Sequence, residues 1–487
     1  MNTEVLAIND KREFFWDSYI VDDEKTTARR VLHSPVYKDD VIRFDKMWEG
    51  DTISGVNFLH IGGKYRMYYL AENRGKMEFC GEYETGTRVC YAESVDGINW
   101  EKPKCKLRKY HGVYDNNILL DATDGDIQSF QVIWDEEFWG YGLPCYCGIA
   151  VIRTENGNEL FGFESYDGFV FENRYKITSA GVFNSLCSAY WSKEINKYVC
   201  LFDGCHMENG KEISDIRAIF SGDLKEWSEP EIINIFDENG EPGEDYPLYC
   251  ACARKYYRGE HLVVALPSAG TEENGKGISC REGILPADCV FMLSRDSRNW
   301  TRYDDSFITA GPEVNGVSRY EKCYPANGFA ETEAPLEGAD KELSLYAVSS
   351  DEEGVQKLER YVMRVDGFVS MQGDFASAVL VTKPFIFKGD MLEINFATSS
   401  KGGLYVTLTD DEGNSAASTR IFGNRTDRVI DFENDLRCFE GRTVVMTIEL
   451  SDAEVYSFRF SKNEENYSLC DELRSFRDEA DMKERLI

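Results

Sequence analysis

Short runs in which apolar and polar residues alternate, broken by Gly, Asp and Asn, fill most of this chain. A period of two puts one side of each run in a core and the other outside, so the pattern predicts β-strands. Residues 56–61 and 64–70 flank Gly62-Gly63, which predicts a tight hairpin. Similar pairs of runs return at 129–134 and 159–163, at 188–191 and 197–202, at 253–257 and 262–266, and at 342–348 and 359–363.

A short phrase follows each pair. It reads Ser94-Val95-Asp96-Gly97-Ile98-Asn99-Trp100, then returns in degenerate form around Asp167, Asp223, Asp296 and Asp366. The shared Asp steps along the chain by 71, 56, 73 and 70 residues. Asp accepts hydrogen bonds from turn amides and Gly tolerates positive φ, so these Asp residues are predicted to be structural. Sheet units that cannot bury both faces alone must stack. The predicted fold is therefore all-β: a five-bladed β-propeller over residues 1–370, including an N-terminal arm around Phe14-Phe15-Trp16. After residue 371 the grammar changes to short alternating strands, which predict a β-sandwich over 371–462. Residues 463–487 are charged with spaced apolar points, and a short docked helix or a frayed terminus is expected there.

Composition narrows the partners. Against 54 basic residues stand 87 acidic ones, a net charge of −33. Such a surface repels phosphate backbones and anionic lipid, so neither nucleic acid nor membrane is an expected partner. No basic stretch followed by an apolar one opens the chain, and no apolar run approaches the ~20 residues that span a bilayer. A cytoplasmic location is the expectation. The 15 cysteines do not resemble a disulfide framework. Cys145 with Cys147, and Cys250 with Cys252, could each put two thiols on one strand face, enough for a zinc site. Their apolar surroundings favour packed thiols instead, and no metal site is predicted.

Sugar hydrolysis needs an acid to protonate the leaving oxygen and a second carboxylate as nucleophile or base. A propeller can deliver such groups from the starts of different inner strands. Four segments carry candidates. Trp48-Glu49-Gly50-Asp51 offers a ring face in Trp48 and a carboxylate in Glu49 or Asp51. Asp126 precedes the second inner strand, and Asp245 with Tyr246 combines a carboxylate with a stacking surface. Glu331 and Glu333 would share one strand face, with Arg319 and Tyr320 just upstream. An acidic surface loop or a packed ring explains each of these equally simply. Walker, dinucleotide-binding and Gly-x-Ser-x-Gly patterns do not occur.

The phrase Asp96-Gly97-Ile98-Asn99-Trp100 and the C-terminal strand-rich segment resemble the five-bladed propeller glycosidases of the β-fructosidase and arabinanase type. The resemblance implies Asp51 or Glu49 as nucleophile or base, Asp126 as a second inner-strand Asp, and Glu331 or Glu333 as general acid. The Trp-Met-Asn-Asp-Pro-Asn opening of fructosidases is absent. The segment Phe15-Trp16-Asp17-Ser18-Tyr19-Ile20 is similar to the opening of a broader group of glycosidase-type propellers. A glycoside hydrolase acting on carbohydrate is the leading expectation, with a non-catalytic sugar binder or a protein-binding scaffold as alternatives. Calcium is the one ion an acidic pocket could take, although no EF-hand pattern supports it. Homo-oligomerisation stays open.

Overall fold

The computed structural model describes residues 5–73, 78–79, 82–83, 86–135, 143–183, 185–208, 210–243, 248–270, 287–309, 324–350 and 354–462. The expected C-terminal helix or frayed terminus lies outside them. The chain forms two compact units, one of Ser34–Val365 and one of Met1–His33 with Asp366–Ile487.

In the larger unit, four antiparallel-based sheets follow one another along the chain. The first is built on Thr52–Ile61, Lys64–Asn73, Gly86–Ser94 and Trp100–Glu101. The second takes Asp126–Trp134, Tyr146–Thr154, Gly157–Ser165 and Glu172–Thr178. Ser188–Ser192, Lys197–Glu208, Lys211–Ser221 and Glu231–Ile232 make the third. The fourth has seven strands centred on Gly259–Ala265, Ala287–Ser294 and Asn299–Ile308. A composite sheet then joins Tyr324–Pro325, Ala330–Thr332, Glu342–Ser350 and Gln356–Arg364 to Val36–Phe44, a strand from the other end of the chain.

The predicted five-bladed propeller followed by a sandwich is corrected by this topology. Four sheets of consecutive strands, each carrying one Asp phrase at its outer hairpin, make a four-bladed, propeller-like run, and the remaining strands form additional sheets of other construction. The composite sheet has no phrase at its outer hairpin, because its last strand, Val36–Phe44, is borrowed. The fifth phrase belongs to the smaller unit. Asp366 is fully buried there and accepts from Ser457 Oγ at 2.7 Å and Asn395 Nδ2 at 3.2 Å, with Arg12 Nη1 3.8 Å away. Its turn also differs: the left-handed residue is Asp366 itself, at φ 62°.

The four outer phrases share one hydrogen-bond scheme. Asp96 Oδ1 accepts from the amides of Ile98 and Asn99, both at 2.8 Å, and from Ser94 Oγ at 2.9 Å. Asp167, Asp223 and Asp296 repeat it with their own following amides and preceding serines. Partial burial raises the Asp96 pKa, but the Asn99 and Ile98 bonds outweigh it and bring the value down to about 2. The next residue takes a left-handed conformation, and in the first two phrases it is glycine for a second reason. A Cβ at Gly97 would sit 3.0 Å from Tyr346 Oη, and one at Gly168 would sit 2.8 Å from Tyr68 Oη. Each tyrosine comes from a different sheet and donates to the glycine carbonyl, so each turn also docks its sheet on a neighbour.

The inner strands are joined by buried side chains. Asn57 donates to Phe130 O at 2.8 Å and accepts from the Val132 amide at 3.2 Å. Gln131 does the same one sheet further on, donating to Ala189 O at 3.1 Å and accepting from the Ala189 amide at 2.6 Å. Ser188 Oγ accepts from the Ala253 amide at 3.0 Å, and Asn327 exchanges backbone bonds with Val56 and Phe58. The sheets thus meet through paired polar groups as well as apolar clusters.

The smaller unit is one hydrogen-bonded network of ten strands drawn from both chain ends. Its longest strands, Met391–Asp410 and Val444–Ser461, pair antiparallel. A core including Phe15, Phe385, Phe387, Phe458 and Phe460 lies against them, with the Phe387 and Phe460 rings stacked at 3.7 Å.

Asp167→Ala removes the acceptor of two amides, and a loss of about 1–2 kcal/mol in urea unfolding is expected. Asp366→Ala, which strands buried donors, is expected to cost about 3 kcal/mol. Equal losses would remove the distinction drawn between the two kinds of phrase.

Candidate active site

The sequence candidates fall into three separately partnered groups. Glu49 ends a 3-10 turn, Met47–Glu49, and is fully buried. Its carboxylate accepts from Tyr69 Oη at 2.6 Å and the Lys46 amide at 2.8 Å, and pairs with Lys102 Nζ at 2.7 Å. Trp48 Nε1 donates to Asn117 Oδ1 at 2.6 Å, and Asn117 Nδ2 donates to Tyr69 Oη at 2.7 Å. This is a closed network in which Glu49 is a structural counter-ion. Burial lowers the Lys102 pKa against the opposing pull of Glu49. Asp51, two residues on, accepts from Thr52 Oγ1 at 3.0 Å and stands at the start of the first inner strand.

Asp126 is exposed, accepts from Gln128 Nε2 at 2.7 Å and lies 3.6 Å from Arg153 Nη1. Glu331 and Glu333 are brought together, each 3.5 Å from Lys341 Nζ, and Tyr257 Oη donates to Glu331 at 3.0 Å. Glu331 raises the Lys341 pKa, with Glu333 adding to it. Asp245, Tyr246, Arg319 and Tyr320 lie outside the described residues.

The most perturbed carboxyl among the described residues is one that the sequence patterns did not single out. Asp203 lies in Lys197–Glu208 of the third sheet and is 5% exposed. Burial raises its pKa, Ser185 and the Cys250 amide oppose that, Asp215 adds to it, and the result is about 6. Asp203 Oδ2 is buried with no hydrogen-bond partner among the described residues. Alternation along Val199, Leu201 and Asp203 puts this acid on the strand face whose apolar members pack in one core cluster. A lone acid ending an apolar run was the available sign.

Ser185, Cys250 and Asp215 are the groups that act on Asp203. Ser185 Oγ accepts from the Cys250 amide at 2.9 Å. Cys250 and Cys252 have sulfurs 3.4 Å apart, and Cys252 donates to Pro325 O at 3.2 Å. Arg254 Nε donates to Asn327 Oδ1 at 3.2 Å, and Asn327 Nδ2 reaches Ser188 Oγ at 3.4 Å. Burial lowers the Arg254 pKa to about 10, and its Nη2 is buried without a partner among the described residues. Asp203, with its raised pKa, is suited to proton donation in mildly acidic conditions, and Arg254 is a desolvated guanidinium bonded to the Asn327 carboxamide. Among the described residues no three His, Cys, Asp or Glu side chains are grouped to hold a metal ion, and the described cysteines are all free.

Two outcomes follow. Asp203 binds its proton more tightly folded than unfolded, so the folded state loses stability as pH rises from about 4 to about 6. Asp203→Asn lacks that loss, and its stability relative to the parent is expected to grow by about 3 kcal/mol between pH 4 and 7 in urea titrations. A constant difference would rule out the raised pKa. Lys102→Met leaves Glu49 buried and uncompensated and is expected to cost about 3–5 kcal/mol, largely recovered by adding Glu49→Gln.

No family model matches the chain, and no curated protein matches it. Solved structures do. An N-acetylgalactosamine deacetylase from F. plautii is 12% identical, with 69% of this chain and 96% of that one covered at a TM-score of 0.46. A GH43_1 enzyme from Xanthomonas citri is 9% identical over 71% and 94%, at 0.42. The RS223 β-xylosidase is 11% identical over 68% and 98%, at 0.41. Every one of these scores is below 0.5, so the chain is similar to these proteins in broad outline and nothing further rests on them.

Proposed function

We propose that the larger unit hydrolyses a glycosidic bond, with Asp203 protonating the leaving oxygen. The observation that carries this reading is a buried carboxyl with a pKa of about 6 and one unpartnered oxygen. Glycoside hydrolysis needs a proton donor of raised pKa and a second, ionised carboxylate. Asp51 is the second group in this reading. It leads the first inner strand, as Ser185 and Cys250 precede the third and fourth sheets' inner segments. Arg254, oriented by Asn327, would hold substrate hydroxyls, and Asp126 would position the sugar.

As the bond between the anomeric carbon and the glycosidic oxygen breaks, the Asp203 proton passes to that oxygen. The carboxylate of Asp51 either bonds to the anomeric carbon or takes a proton from the attacking water. Water supplies the hydroxyl of one product, and Asp203 regains its proton by the end of the cycle. The spacing of the two carboxyl groups in the substrate complex sets inversion or retention.

The test is hydrolysis of a panel of neutral oligosaccharides. Asp203→Asn is expected to lower kcat about 10²–10⁴-fold with KM little changed. The parent's kcat is expected to fall as pH rises past about 6, where the donor loses its proton. Undiminished turnover by Asp203→Asn would overturn the assignment.

A further inference from the structure

The smaller unit carries a depression of about 240 Å³ lined by Ser377, Gly403, Tyr405, Arg420, Glu449 and Ser451. We propose that it is a non-catalytic binding site for one neutral sugar ring, independent of the reaction assigned to the larger unit.

Its shape follows from the sheet. In the pairing of Met391–Asp410 with Val444–Ser461, Gly403 lies opposite Ser451 and Tyr405 opposite Glu449. Alternation sends these four to the outer face, while Leu404, Val406, Ile448 and Leu450 are fully buried on the other. Gly403 and Ser451 make a low floor, and the larger side chains of Tyr405 and Glu449 rise beside it. A Cβ at Gly403 would lie 2.6 Å from Arg420 Nε, so only glycine lets the guanidinium lie across the floor. Arg420 Nη2 donates to Lys401 O at 2.9 Å and Gly402 O at 2.6 Å, which fixes that guanidinium in place.

The chemistry selects the ligand. Tyr405 is 45% exposed, and its ring offers a flat face for the carbon-bound hydrogens of a sugar. A fixed guanidinium donates to hydroxyl oxygens, and the exposed Glu449 carboxylate accepts from hydroxyl protons. One positive and one negative group leave the site uncharged, and a chain of net charge −33 disfavours an acidic sugar. The volume lies below the ~300–1,000 Å³ of drug-sized sites, which limits the occupant to about one ring.

The experiment uses full-length protein carrying Asp203→Asn, so that turnover does not consume the probe. Binding is read on an array of neutral and uronic-acid glycans and then by calorimetry with the best neutral glycan. Tyr405→Ala and Glu449→Gln, both at exposed positions, are each expected to weaken binding at least tenfold, while their thermal midpoints stay at the parent value. The parent with Asp203 restored is expected to bind the same glycan when hydrolysis is slow. Binding of no neutral glycan, preference for uronic acids, or binding unchanged in both variants would overturn the proposal. None of these results depends on whether the larger unit hydrolyses anything.

Discussion

The sheets of the larger unit are registered to one another by side-chain amides that imitate the peptide group. An inner strand has one edge with no further strand to pair, and its N–H and C=O groups are buried. Leaving such a group unpaired costs about 1–3 kcal/mol, more than a made hydrogen bond returns. Asn57 and Gln131 each present a donor and an acceptor at peptide spacing and satisfy both kinds of group on the next strand. Ser188 Oγ does the same from the third sheet for the Ala253 amide, while between the composite and first sheets the backbone of Asn327 bonds directly to Val56 and Phe58. Apolar packing alone would allow the sheets to slide, whereas paired polar groups set their positions to within a hydrogen-bond length. Those bonds hold the segments that bear Ser185 and Cys250, and hence the groups that act on Asp203.

Two buried carboxyl groups in this unit meet opposite fates for a simple reason. Glu49 has Lys102 at 2.7 Å, so its charge is balanced and its lone pairs are filled. Asp203 has a serine hydroxyl and a backbone amide but no cation among its stabilising partners, and Asp215 opposes its ionisation. Desolvation prevails there and the Asp203 pKa rises to about 6.

Much of this was legible in the chain. Period-two runs located the strands, and the Asp phrases located the outer hairpins, because both depend on residues near in sequence. The count of units was not legible. Asp366 sits in a phrase that looks like the other four, yet its carboxylate is enclosed by Asn395 and Ser457. Nothing within a few residues of Asp366 reveals partners so distant in the chain. Nor does the chain before Glu342 reveal that Val36–Phe44 completes the composite sheet. Acidic loops stand out in the chain, among them the one bearing Glu331 and Glu333, two carboxylates sharing Lys341. Asp203 is quieter, a single acid at the end of an apolar strand. Its environment is made by Ser185 and Cys250, which only the assembled sheets bring to it.

The inner-strand pairing is open to direct measurement by native-state hydrogen exchange at the amides of Val132, Ala189 and Ala253. If side chains close these edges, the three amides exchange only through global unfolding, and Gln131→Met frees Ala189 alone to exchange by a local opening. Fast exchange at all three in the parent protein, as for an open strand edge, would contradict the account.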